Sequence, residues 1–189
     1  MEAFLTSTLL VTIAEIGDKT QLLSFALSAR LRQPRAIILG ILAATLANHA
    51  LAATLGVWLA AQVGPSTLRY VTAAAFVAFG VWALVPDKLD DKQAKGNFGG
   101  AFVTALIAFF IAEIGDKTQL ATIALGARFD SFAAVVSGTT LGMMIANVPA
   151  VLLGEALAGR LPLNRIRWSA ASLFILTGLA SLIDWGTLG

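Results

Sequence analysis

Residues 14–22, AEIGDKTQL, recur unchanged as residues 112–120. Each copy sets a Glu, an Asp and a Lys inside an otherwise apolar stretch, so Glu15, Asp18, Glu113 and Asp116 form a matched set of carboxylates. Carboxylate, carbonyl and water oxygens are the ligands of hard divalent cations such as manganese, calcium and magnesium, whereas zinc and copper sites recruit His or Cys. The chain has no Cys and one His, His49, so an all-oxygen cation site is the chemistry the residue types favour. Thr20, Gln21, Thr118 and Gln119 are neutral additions beside the carboxylates, and Asn48 and Asn147 are further pathway candidates. His49 lies next to Asn48, and its counterpart in the second half is Asn147; a packing or hydrogen-bonding role competes with lining the cation pathway or relaying protons.

Lys19 and Lys117 allow a charge count. Four carboxylates against two lysines leave an excess of two negative charges, which one divalent cation or two protons would neutralise. Exchange of a divalent cation for protons is the mechanism this count suggests. Ion pairs that merely join two helices are the plainer reading, but balanced glue would not need more acid than base in both copies. On an ideal helix Glu15 and Asp18 share a face, with Thr8 and Thr12 on roughly the same side. Gly17 and Gly115 read first as points of close helix packing, and alternatively as breaks whose freed backbone could coordinate ions.

The surrounding sequence is that of a membrane protein. Of 189 residues 58% are hydrophobic and 13% charged, and the mean hydropathy is +0.83. Apolar stretches of about the 20 residues a spanning helix needs run over roughly 3–29, 36–62, 66–86, 100–127, 132–159 and 166–185. They are long and rich in Ala, Leu and Gly, with none of the alternation of a β-barrel. The centrally placed charges would cost about 2.5–3.5 kcal/mol each if they faced lipid, so the fold must bring them together.

A shift of 98 residues aligns more than the motif, placing Arg30 on Arg128, Gly40 on Gly138, Gly56 on Gly154, Phe76 on Phe174 and Gly80 on Gly178. The expected fold is therefore all-α, a six-span integral membrane protein made of two inverted three-helix repeats. These are residues 1–86 and 100–189, joined by a polar cytoplasmic linker over 87–99. An odd number of spans per half forces the inversion, and sites in such repeats sit at mid-depth between the halves. Nine Lys and Arg fall near the ends of spans on one side (Arg30, Arg32, Arg35, Lys88, Lys92, Lys95, Arg160, Arg165, Arg167) against Arg69 and Arg128 on the other. This bias puts the linker in the cytoplasm and both termini on the opposite side. The acidic N-terminus reads as a retained first span rather than a signal peptide. Trp58, Tyr70, Trp82, Trp168 and Trp185 read as interface anchors, GTTLG at 138–142 as a close-packing stripe, and Pro149 as a bend.

EIGDKTQL, in the first and fourth spans, resembles the E-x-G-D-[KR]-[TS] signature of the Gdt/MneA family of cation transporters, over the whole chain and without departure in either copy. The resemblance implies transport of Mn2+, with Ca2+ also handled by some members, in exchange for protons. It carries onto Glu15, Gly17, Asp18, Lys19 and Thr20, and onto Glu113, Gly115, Asp116, Lys117 and Thr118. The short chain is similar to prokaryotic members that export manganese across the plasma membrane. The expected partners are the metal ion as substrate, protons and the lipid bilayer, with no nucleic acid and no resident cofactor. Two rivals are an intramembrane aspartyl protease, whose Asp dyad would not need a Glu and a Lys in each copy, and a transporter of another cationic substrate on the same fold.

Overall fold

The computed structural model describes residues 1–86, 95–129, 131–153 and 162–183. Among them are eight helices and no strand: α1 Glu2–Glu15, α2 Lys19–Leu31, α3 Pro34–Gln62, α4 Pro65–Ala83, α5 Ala101–Glu113, α6 Lys117–Arg128, α7 Phe132–Leu153 and α8 Leu163–Ser181. Helices α3, α4 and α7 are long and apolar enough to cross a membrane, and α5 is a shorter apolar helix. Most of the linker, the end of the expected fifth span, Lys88, Lys92, Arg160 and Trp185 lie outside the described residues.

The stretches expected as single first and fourth spans are each two helices. Residues 16 and 114 leave helical geometry with ψ of 115° and 119°, and Gly17 and Gly115 follow at φ +84° and +73°. That left-handed region is open to Gly and costly for residues with a Cβ. Asp18 and Asp116 then cap α2 and α6 in extended conformation. The reading of both glycines as packing points in unbroken helices is thereby corrected: the chain breaks at both. The ideal-helix face that would hold Thr8, Thr12, Glu15 and Asp18 together does not exist either. Thr8 donates to Phe4 O at 2.8 Å and Thr12 to Gly142 O at 3.5 Å.

Packing follows an ordered register. Moving along α7, Gly138 lies against Phe4 and Gly142 against Thr8; Ala146 O then accepts from Gln21 at 3.0 Å, Asn147 from Ser24 at 2.8 Å and Val151 O from Ser28 at 2.5 Å. Helices α1 and α2 thus ascend α7 in line, as two parts of one broken rod. The second half repeats this along α3, where Gly40 meets Phe102, Asn48 donates to Phe110 O at 3.2 Å, and Gly56 meets Ile123. A Cβ on Gly138 would stand 2.6 Å from Phe4 O, and one on Gly40 2.6 Å from Phe102 O. Small residues let these backbones touch, as the GTTLG spacing predicts.

The C-terminal part of α2 meets the beginning of α5. Leu23 and Leu27 share a buried cluster with Ile37, Ile41, Ala101 and Ala105, and the Arg30 guanidinium donates to Gly96 O at 2.6 Å. Helices α4 and α8, which begin and end 98 residues apart, pack on each other through stacked Phe76 and Phe174, with ring centroids 6.4 Å apart. Helix α7 remains a single helix through Pro149. Trp58, Tyr70, Trp82 and Trp168 are exposed on the helical surface.

Candidate functional site

The two helix breaks meet in the interior, and their ion pairs cross over. The Lys117 ammonium pairs with the Asp18 carboxylate of the other motif, and Lys19 Nζ lies 3.1 Å from Asp116 Oδ1. Glu15, Asp18, Glu113, Asp116 and Lys117 are all buried. Glu15, Glu113 and Asp116 each present a carboxylate oxygen within 4.8 Å of the others'. Three of the four expected carboxylates thus converge, while Asp18 is engaged by Lys117 at the edge of the cluster.

Each Glu is held by the Thr five residues on. Thr20 donates to Glu15 Oε2, and Thr118 lies 3.2 Å from Glu113 Oε2 and 3.1 Å from Asp116 Oδ2. Oε1 of Glu15 and Oε1 of Glu113 accept no hydrogen bond among the described residues. Once each Lys is matched to an Asp, the two glutamates are the uncompensated charge. Two carboxylates so close in an interior cannot both stay ionised without a cation or protons between them.

The neutral candidates support the breaks. Gln21 Oε1 accepts from Gly17 N–H at 2.9 Å, and Gln119 Oε1 from Gly115 N–H at 2.8 Å, each satisfying an amide freed by the break. Gln119 also donates to Asn48 Oδ1 at 3.2 Å, and Asn147 donates to Met143 O at 3.1 Å. Asn48, Asn147 and both glutamines therefore hold the framework. His49 is buried beside the cluster, with Nε2 4.0 Å from Glu113 Oε2.

Two residues escaped the sequence reading. Ser24 fixes Asn147, a contact without a sequence signal because Thr122, its counterpart, bonds its own helix at Thr118 O. Leu163 lies over the first break: a Cβ on Gly17 would be 2.6 Å from Leu163 Cδ2, whereas one on Gly115 would meet nothing within 4 Å. The gap beside Gly17, lined by Asp18, Lys117 and Arg167 among others, has about 10 Å³, room for roughly one water. At the second break Ile114 is 59% exposed. The chain is covered at the first break and uncovered at the second, while the carboxylates themselves are buried.

Apolar helices that enclose a carboxylate cluster between two broken rods define an integral membrane protein of the ion-transporting class. The family described as "Divalent cation/proton antiporter GDT1" matches residues 3–91 and 101–187, and the chain belongs to it. It is 52% identical over 172 residues to a Vibrio cholerae protein named "Putative manganese exporter", covering 90% of this chain and 86% of that protein. It is 28% identical to "GDT1-like protein 5" of Arabidopsis thaliana, over 97% of this chain and 96% of the relative. It is also 28% identical to "GDT1-like protein sll0615" of Synechocystis, over 99% and 98%. No solved structure matches the chain. The family is one of transporters, which removes the protease alternative.

Proposed function

We propose that this protein exports Mn2+ across a prokaryotic plasma membrane in exchange for protons, with Ca2+ a second substrate, through a site formed by Glu15, Asp18, Glu113 and Asp116. The observation that carries the reading is the pair of glutamates left over once Lys117 has met Asp18 and Lys19 has met Asp116. One divalent cation balances that pair, and so do two protons. Two loaded states of equal charge in one low-dielectric site are what coupled exchange requires. Asp116 adds a third carboxylate to the cation, and Asp18, tied to Lys117, joins it from the edge.

The proposed topology has six crossings in two inverted halves, residues 1–86 and 100–189, with a cytoplasmic linker over 87–99 and both termini on the other side. Support comes from register: α1 and α2 ascend α7 in line, α5 and α6 ascend α3 in line, and the end of the first pair meets the start of the second. In that topology Leu163 begins α8 at the cytoplasmic face, beside Arg165 and Arg167, and its counterpart Pro65 begins α4 at the opposite face. Cover over Gly17 and open space at Gly115 then give the buried carboxylates a thicker barrier toward the cytoplasm and a thinner one outward. Mn2+ leaves on the outward side, and the return with protons bound closes α4 over Gly115 and withdraws α8 from Gly17.

Competition binding tests the substrate assignment. Mn2+ bound to the purified chain is expected to be displaced by Ca2+ and not by an organic ammonium ion, and binding is expected to vanish in Glu15→Gln and Glu113→Gln. Displacement by the ammonium ion at comparable concentration would move the assignment to a cationic metabolite.

A further inference from the structure

We propose that His49 is a nitrogen ligand of the transported cation and biases the site toward first-row transition ions over calcium. The inference rests on the cation site described above and names one more residue in it. His49 is fully buried in the middle of α3, and neither ring nitrogen has a hydrogen-bond partner among the described residues. A buried polar group left unpaired is destabilising, so an imidazole with both nitrogens unsatisfied calls for a partner that the described residues do not provide.

The ring stands beside Glu113, one of the three converging carboxylates. Nε2 is 4.0 Å from Glu113 Oε2, too far for a hydrogen bond. The spacing suits two donors on one ion: ligands each about 2.0–2.2 Å from a shared metal lie up to about 4.4 Å apart. Glu113 Oε2 has a second lone pair besides the one facing Thr118, so the same oxygen can serve the ion.

The repeat supplies an internal control. Asn147, at the equivalent position of the other half, is fully employed: it accepts from Ser24 and donates to Met143. The same location is therefore structural on one side of the pseudo-symmetric site and unemployed on the other. Only the His49 side offers nitrogen. Calcium takes oxygen ligands, whereas imidazole binds first-row transition ions, so one nitrogen in an otherwise carboxylate site raises their affinity relative to Ca2+.

His49 is the chain's sole histidine, which makes the test specific. The full chain, purified without a histidine tag and loaded with Mn2+, is examined by pulsed electron paramagnetic resonance with natural-abundance and with 15N-labelled histidine. The expected result is a nitrogen coupling from a directly bound imidazole that changes with the label and disappears in His49→Asn and His49→Gln. In both variants Mn2+ affinity relative to Ca2+ is expected to fall on the order of tenfold. The Asn variant introduces the residue native to the matching position, which guards against loss of folding. Bound Mn2+ without an isotope-sensitive nitrogen coupling in the unaltered chain would overturn the role of His49 and leave the carboxylate site standing. Failure of the unaltered chain to bind Mn2+ would overturn both.

Discussion

Lys117, in the second copy of the motif, is paired with Asp18 in the first, so each helix break is held by a charge from the other half. The reciprocal pair, Lys19 with Asp116, is less enclosed: the Lys19 side chain is 23% exposed, against 5% for Lys117. Removing one partner of a buried pair leaves an uncompensated charge, at a cost of about 3–5 kcal/mol, whereas removing both can be nearly neutral. Lys117→Met is therefore expected to lower thermal stability in detergent sharply, and Asp18→Asn with Lys117→Met to recover most of the loss. Lys19→Met is expected to cost less than Lys117→Met. Equal losses for the two lysines would contradict the unequal enclosure of the pairs.

The glycines at the breaks give a second comparison. Gly17→Ala and Gly115→Ala each force a Cβ into the left-handed region, at about 1–2 kcal/mol. Only Gly17→Ala also collides with Leu163. Melting temperatures should therefore fall further for Gly17→Ala, and adding Leu163→Ala should narrow that difference without helping Gly115→Ala. A larger drop for Gly115→Ala would show that the uncovered break is closed in solution.

Because the chain contains no cysteine, single cysteines can report access directly. Ile114→Cys, at an exposed position beside the second break, is expected to react readily with a membrane-impermeant thiol reagent added from the non-cytoplasmic side. Ile16→Cys, at the half-buried equivalent, should react slowly from either side. Saturating Mn2+ or a change in pH that drives exchange should shift the ratio of the two rates. A ratio indifferent to both would argue against a moving cover.

Much of this arrangement is legible in the residues because it follows from repetition and polarity. The 98-residue offset appears in the bounds of α4 and α8, Pro65–Ala83 and Leu163–Ser181. The buried carboxylates are those the duplicated motif singles out. The breaks were harder to read, since a glycine within an apolar run serves close packing or a left-handed turn equally well. Gly138 and Gly142 do the first, Gly17 and Gly115 the second. Crosswise pairing was hidden for another reason: Lys117 and Asp18 are far apart in sequence, and their meeting depends on how two broken rods approach. Leu163 and Pro65 differ at matched positions, so the unequal cover over the breaks is a property of the packed state rather than of the motif.

The central claim is that the two glutamates hold either one divalent cation or two protons. Mn2+ flux into proteoliposomes, measured with and without an imposed pH gradient, tests it most directly, comparing the unaltered chain with Glu15→Gln and Glu113→Gln. Flux is expected to rise and reverse direction with the gradient in the unaltered chain and to be lost in both variants. Mn2+ movement that ignores the pH gradient, or that persists after either glutamate is neutralised, would contradict the account.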